Sequence, residues 1–315
     1  MSRKITIIGA GHVGATIAYT LSLGNNASEI VVIDLDKSKA EGEVMDIIQG
    51  TGFRDPISVI SGDYADAADS EVVIITSGVG RKPGQTRLEL AQNNVNILKD
   101  ITPRIVQVAP HAVYVIVSNP VDIMTYVFTK ISGLPESQVM GSGTALDTAR
   151  LRYRLSDHFQ VAQKNVHAYV FGEHGDTSFI PWSLATISGC KLTAFEKLMQ
   201  KDSAVEERID RDEILQYVQK SGGEIISKKG ATYYAVAASV NKIVGALFGT
   251  RNCVETVSTM LHGEYGIKDV CLSVLALIGP EGVKEKLPVQ LTEDEANKLH
   301  ASATALKEAI KGLDF

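Results

Sequence analysis

The stretch that most constrains the fold is the first one. Ile5-Thr6-Ile7-Ile8 is followed by Gly9-Ala10-Gly11-His12-Val13-Gly14, and Ala15 to Leu23 continues with helical periodicity. A short β-branched run suits a strand buried on both faces. A second apolar run, Ile30 to Ile33, ends at Asp34, twenty residues after Gly14. Strand, GxGxxG turn, helix, strand and acid in this register are the parts of a dinucleotide site. The glycines let the backbone reach a pyrophosphate, the helix N-terminus offers N–H groups and a positive dipole end, and the carboxylate takes ribose hydroxyls. Asp34 would repel a 2′-phosphate, so NAD is expected over NADP.

The alternation continues, as a doubly wound parallel sheet requires. Val72 to Thr76 and Val113 to Val117 read as strands. The first is followed by Ser77-Gly78-Val79-Gly80, where cofactor phosphate or nicotinamide ribose would lie, and the second by Ser118-Asn119-Pro120-Val121-Asp122. Ligands of open α/β sheets bind outside the carboxyl ends of strands, so these loops face one crevice. Between them, Arg81-Lys82-Pro83-Gly84-Gln85-Thr86-Arg87 has the makeup of a mobile lid, and a polar helix runs through Asn93 and Asn94 to Lys99. Gly141-Ser142-Gly143-Thr144 breaks the pattern. The expected division is therefore a dinucleotide-binding domain over 1–142 and a mixed α/β catalytic domain over 143–315. In the second, Ala185 to Leu192 and Val254 to Val274 read as antiparallel strands, and Glu206 to Lys228 and Tyr233 to Leu247 as helices. Thr292 with Glu295 forms a capping box for a last helix to about Lys311.

Composition narrows the function. The 315 residues carry a formal charge of -6 with scattered cations, which argues against nucleic acid and anionic membrane surfaces. The apolar run that Gly9 stops is too short for a secretory or membrane-spanning segment, so the expected location is the cytoplasm. Cys190, Cys253 and Cys271 are an odd count without a CxxC pair and read as reduced thiols, with neither a disulfide frame nor a metal site.

A second feature carries the chemistry. Gly172-Glu173-His174-Gly175-Asp176 follows the run Val166-His167-Ala168-Tyr169-Val170-Phe171, so a strand is expected to end in a glycine-flanked imidazole that substrate can reach. Asp147 and Arg150 share one turn of an expected helix. Taken alone they are an ordinary i,i+3 ion pair, and His174 alone is a turn residue. Together with a dinucleotide site they make a hydride-transfer site. Reducing a carbonyl by hydride needs a proton donor that is charged before transfer and neutral after, which imidazolium provides near neutral pH. Asp147 would favour the imidazolium and fix its tautomer. Arg150 suits planar, bidentate recognition of a carboxylate. Arg87, brought in by the lid, would stabilise charge growing on the carbonyl oxygen.

Over essentially its whole length the chain resembles the lactate/malate dehydrogenase family. The resemblance rests on the fingerprint at Gly9, on Lys82 to Arg87, Val117 to Asp122, Gly141 to Thr144 and Asp147-Thr148-Ala149-Arg150, and on the segment around His174. It implies a proton donor and acceptor at His174, its orienting partner at Asp147, a substrate-carboxylate site at Arg150, and Arg87 and Asn119 at the carbonyl oxygen. Arg81, Asp122 and Thr232 would line the substrate pocket. Besides Gly9, Gly11, His12, Val13, Gly14, Asp34, Gly78, Val79 and Asn119, it adds Lys39, Tyr64, Val117 and Ser142 to the NAD site. Similar bacterial lactate enzymes bind fructose 1,6-bisphosphate across a subunit interface where this chain has Arg152 and His167. A homotetramer with that effector is the corresponding expectation.

The substrate is read two ways. Glu173, Trp182, Thr232 and Arg87-Leu88-Glu89-Leu90 are lactate-type features, whereas Arg81 stands, near the distal end of the substrate, where lactate enzymes of the family usually have Gln and malate enzymes Arg, and Gln85 replaces the usual lactate-type Glu. Lactate is the leading expectation and malate the alternative. A retired, purely dinucleotide-binding protein is a third class. It has no need to keep His174, Asp147, Arg150, Arg87 and Asn119 together, which favours an enzyme.

Overall fold

Alternating residues of the N-terminal strands enter two different cores, and this sets the architecture. The computed structural model describes residues 3–24, 26–53, 55–80, 84, 86–201 and 209–315. Ile8, Val31, Ile33, Val73, Ile75, Tyr114 and Ile116 face one core, while Ile5, Ile7, Ile30, Val32, Val72, Ile74 and Val115 face the other. A strand that is apolar on both faces must be covered on both. The strands are β1 (Lys4–Ile8), β2 (Glu29–Ile33), β3 (Ser58–Ser61), β4 (Val72–Ile75), β5 (Val113–Ile116) and β6 (Val139–Gly141), parallel in the order β3-β2-β1-β4-β5-β6.

One face is covered by α1 (His12–Leu23), α2 (Lys37–Gln49) and α8 (Tyr234–Leu247), through side chains such as Ile17, Leu21, Val44, Val240 and Val244. The other is covered by α3 (Arg87–Val108), α4 (Val121–Ser132) and α9 (Glu293–Lys311), through Leu98, Ile105, Phe128, Leu299 and Leu306. Helix α3 runs past the expected Lys99 and through Pro103, because Val95, Leu98, Ile101 and Ile105 keep one apolar stripe across it. Thr292 and Glu295 do form the capping box of α9.

Antiparallel strands β10 (Cys253–His262), β11 (Lys268–Gly279) and β12 (Gly282–Lys286) continue the same sheet beyond β6, making nine strands. The join is a single pair, Ser258 opposite Gly141. Any side chain at Gly141 would collide with the Thr125 hydroxyl and the Ser258 Cβ, so the glycine sets how closely β10 approaches β6. The C-terminal strands thus grow out of the N-terminal sheet rather than standing beside it.

A third core joins α5 (Ala145–Phe159) and α7 (Arg211–Lys229) to a small sheet of β7 (Val166–His167), β8 (Thr186–Ile187) and β9 (Cys190–Lys191), after which comes α6 (Leu192–Lys201). Helix α7 begins at Arg211, where the Asp210 carboxylate caps the N–H groups of Asp212 and Glu213; the expected start near Glu206 lies outside the described residues. The expected strand before His174 is regular only at Val166–His167. Beyond it, side chains of α5 take the ladder's place: Thr144 Oγ1 donates to the Val170 carbonyl, Thr148 Oγ1 accepts from the Val170 N–H and Arg152 Nε donates to the Ala168 carbonyl. Isolated bridges of Phe171 with Phe179 and Gly172 with Ser273 finish the run. The cysteines are free thiols, Cys271 buried, Cys190 half-buried and Cys253 exposed.

Candidate functional site

The dinucleotide fingerprint folds into a close backbone crossing. Gly9 has φ +110°, and a Cβ there would lie 2.7 Å from the Thr76 hydroxyl, while a Cβ on Gly14 would collide with the Gly9 carbonyl oxygen. Both positions therefore require glycine. Gly11 is different. It is the N-cap of α1, no side chain caps the helix, and a Cβ there would meet nothing within 4 Å. This leaves an open cradle over uncapped helix N–H groups, which fits a phosphate. Asp34 closes the far side, its Oδ2 accepting from the Ala10 N–H at 2.6 Å and its Oδ1 from the Asp36 N–H at 2.9 Å.

From this cradle a cavity of about 760 Å³ extends along the strand ends, lined among others by Gly9, Gly11, Asp34, Lys39, Tyr64, Gly78 and Val79. His12 and Val13 lie on the first turn of α1, where the His12 ring stacks on Tyr233 at 5.4 Å and Val13 packs on the adjacent core. Sequence reasoning missed Leu35, Ile97, Ile101 and Arg104, which also line the cavity. Helix α3 brings the last three there on one face, a 3.6-residue period that marks burial without telling a core from a cleft.

The catalytic candidates converge at the N-terminal end of α5. Asp147 and Arg150 lie one turn apart, and Arg150 Nη1 donates to Asp147 Oδ1 at 2.7 Å. The other oxygen, Oδ2, sits 2.5 Å from His174 Nδ1. With Nδ1 donating to Asp147, the proton available for exchange is the one on Nε2. The His174 side chain is 29% exposed, so the crevice can reach it, while that of Asp147 is 6% exposed. Asp147, chiefly by its charge and also by its hydrogen bond, holds the imidazole up at about 9, against the opposing pull of burial and Arg150. Burial pushes the Asp147 carboxyl upward, but the imidazolium and Arg150 outweigh it and keep the carboxyl below its ordinary value. Such an arrangement stores a proton on His174 at neutral pH beside a cation suited to a carboxylate.

The remaining candidates surround this pair. Asp122 accepts from the His174 backbone N–H at 2.7 Å and from Ser258 Oγ at 2.6 Å. Asn119 begins the turn before α4, and its carbonyl accepts from Asn94 Nδ2 at 2.7 Å. Asn94 is itself buried and also accepts from the Val79 N–H at 2.8 Å, so it ties the loops after β4 and β5 together. Sequence reasoning gave it no role. Val117 is buried at the end of β5, and the Ser142 N–H donates to the Ile116 carbonyl, which places both at the strand ends facing the crevice. Arg87 opens α3, with Thr86 capping it, and its Nη2 lies 2.5 Å from Asp176 Oδ2, two residues beyond His174. Arg87 is thereby held beside the His174 loop by a solvent-exposed pair. Thr232 is half-buried in the link between α7 and α8. Arg81 lies outside the described residues. Arg152 Nε donates to the carbonyl of Ala168, just past β7, and its guanidinium lies over the Tyr169 ring, while the His167 side chain is exposed on β7.

Comparison with known proteins agrees with this geometry. The profile for the lactate/malate dehydrogenase NAD binding domain matches residues 3–141, and that for the lactate/malate dehydrogenase alpha/beta C-terminal domain matches residues 144–314. An L-lactate dehydrogenase of Acetivibrio thermocellus is 47% identical over 99% of this chain and 98% of its own. L-lactate dehydrogenase 1 of Clostridium acetobutylicum is 46% identical over 98% of each. Among solved structures, a lactate dehydrogenase from a Medee basin deep-sea metagenome library superimposes with a TM-score of 0.93 at 37% identity, covering 99% of this chain and 98% of the other. The minor L-lactate dehydrogenase of Enterococcus mundtii, in its ligand-bound form, gives 0.93 at 38% over 98% of each chain. A phosphate cradle with an acid at its far side, an aspartate-held imidazole and a neighbouring arginine are thus found in a chain that belongs, in both its halves, to the NAD-binding lactate/malate dehydrogenase family.

Proposed function

We propose that this protein is an L-lactate dehydrogenase, reducing pyruvate reversibly to L-lactate with NADH. The observation that carries the reading is the Asp147–His174 pair, a carboxylate and an imidazole 2.5 Å apart with Arg150 on the carboxylate's other oxygen. When bound, the dihydronicotinamide supplies the hydride. The cradle at Gly11 and the Asp34 carboxylate would hold the dinucleotide. His174 gives its Nε2 proton to the carbonyl oxygen as charge develops there and takes it back in the reverse direction. Arg150 binds the substrate carboxylate and so fixes which carbon faces the cofactor. Arg87 leaves Asp176 for the carbonyl oxygen when the lid closes, and Asn119 donates to the same oxygen.

Pyruvate is favoured over oxaloacetate because the similar proteins across the whole chain are named L-lactate dehydrogenase. Arg81 is the one residue that argues for oxaloacetate, since a buried guanidinium without a second substrate carboxylate would cost several kcal/mol. In a lactate enzyme it must turn to water or to an acid of the protein. Parallel kcat/KM values for both keto acids, in wild type and Arg81→Gln, test this. Pyruvate is expected ahead, with the variant shifting the ratio further its way. Oxaloacetate ahead in wild type would make malate the substrate.

The same reading carries a homotetramer in the cytoplasm, with the exposed Met45 and Ile48 on one face of α2 as apolar surface for a second copy. Fructose 1,6-bisphosphate as an activator at Arg152 and His167 follows from the resemblance to bacterial lactate enzymes, with His167 exposed at the surface. Identical pyruvate saturation curves with and without the bisphosphate, across a range of protein concentration, would remove that claim.

A further inference from the structure

A second buried carboxylate holds His174 from its backbone. Asp122 lies in the first turn of α4, three residues after Asn119, and is 2% exposed. Both of its oxygens are committed to the protein: Oδ2 to the N–H of His174 and Oδ1 to the hydroxyl of Ser258 on β10. Asp147 holds the ring of the same histidine from α5. His174 is therefore held by carboxylates from two different helices, at its main-chain N–H by Asp122 and at its ring by Asp147. Asp122 thereby ties His174 to Ser258 on β10, the strand that joins β6.

The geometry points to Asp122 as a positioning residue for the reaction, fixing His174 through its main chain and adding a second negative charge behind the imidazolium. This rests on the reading of His174 as the proton donor. A proton donor displaced by about 1 Å loses a large share of its rate, which is why a charge-assisted bond to the backbone matters as much as one to the ring. The groups that bear on Asp122 are Glu173 and His174 from its facing loop and Cys271 from β11; Asp147 and Arg150 of α5 act on the same imidazole. The carboxyl is pushed up to about 6, first by burial, with the Ser258 hydroxyl and the His174 N–H pulling it back, so it is ionised at neutral pH and supports the imidazolium.

Two substitutions separate position from charge. In Asp122→Asn the amide oxygen still accepts from the His174 N–H, and the amide nitrogen donates to a Ser258 hydroxyl that turns to accept. Geometry is kept and the charge is lost. The alkaline limb of the pH profile for keto-acid reduction should then move down by about one pH unit, with kcat on its acid side within about threefold of wild type. Asp122→Ala removes both bonds. Its kcat should fall at least about 30-fold, while the keto-acid KM and the NADH dissociation constant change by less than about threefold. An unmoved limb in the Asn variant, an Ala variant with kcat within threefold, or losses of NADH affinity that match the loss of kcat overturn the proposal. Should neither variant fold, Ser258→Ala carries the test. Without that hydroxyl the Asp122 carboxylate loses its anchor on β10, so kcat at neutral pH should drop at least about threefold with the keto-acid KM and NADH affinity unchanged, and an unaltered kcat would refute it. His174→Asn in the same series tests the parent reading separately. If it keeps more than about a tenth of the activity, the proton comes from elsewhere, whatever Asp122 does.

Discussion

Replacing Asp147 with Asn should convert the enzyme's pH behaviour, and the size of the effect follows from the cluster. The imidazole of His174 is raised from 6.5 to about 9, with the charge of Asp147 as the largest cause. That interval corresponds to about 3 kcal/mol of preference for the imidazolium. In the variant the opposing influences remain: desolvation of the partly buried ring and the charge of Arg150 both act against the imidazolium, with Asp122 as its remaining support. The value should fall to 6.5 or below. At pH about 7.5 the protonated fraction then drops from nearly all to about a tenth or less, so reduction slows about tenfold from charge alone and about 10² to 10³-fold once ring orientation is also lost.

The sign of the pH dependence is fixed by the same facts. A group whose folded value is raised holds its proton, and the stability of its pairing, fully below 6.5, and loses both as pH rises through about 9. Keto-acid reduction in wild type should therefore hold through neutral pH and fall near pH 9. In Asp147→Asn the fall moves to 6.5 or lower, and part of the lost rate returns on acidification. Oxidation of the hydroxy acid needs the neutral ring and should suffer less at neutral pH. Steady-state NADH consumption and production across pH, with single-turnover traces to separate binding from transfer, measure both directions. A reduction limb that stays near pH 9 in the variant would show that Asp147 does not set the protonation of His174.

Two further outcomes are expected. Gly14→Ala places a Cβ against the Gly9 carbonyl oxygen, so it should cost about 2–3 kcal/mol of stability and weaken NADH at least about tenfold; melting curves with and without NADH that match wild type would show that the crossing is looser than drawn. Arg150→Lys keeps the charge beside Asp147 but loses the planar fork, so the keto-acid KM should rise about 10²-fold with NADH affinity unchanged; an unaltered KM would place the substrate carboxylate elsewhere.

How much of this was legible in the sequence depended on whether the cause of a feature is local. Ile5-Thr6-Ile7-Ile8 and Ile30 to Ile33 read as strands because burial on both faces leaves an unbroken β-branched run, and Thr292 with Glu295 marked a helix start because a capping box is complete within four residues. The strand expected through Val170 failed for the opposite reason. Its propensity is right, but Thr144, Thr148 and Arg152 of α5 supply the hydrogen bonds that a neighbouring strand would have given.

Within the site the division is the same. Asp147 and Arg150 could be paired from an i,i+3 spacing, whereas the contact of Asp122 with Ser258 spans 136 positions and that of Arg87 with Asp176 spans 89. No periodicity encodes such pairs. They arise because β10 is allowed up to β6 by the glycine at 141, and because α3 and the His174 loop end at the same rim of the sheet. Asn94 makes the point sharpest. On the sequence it is one polar residue of a polar helix, yet its single amide bonds both the Val79 and the Asn119 loops, so its place in the site exists only once the order of β1, β4 and β5 has put those two loops side by side.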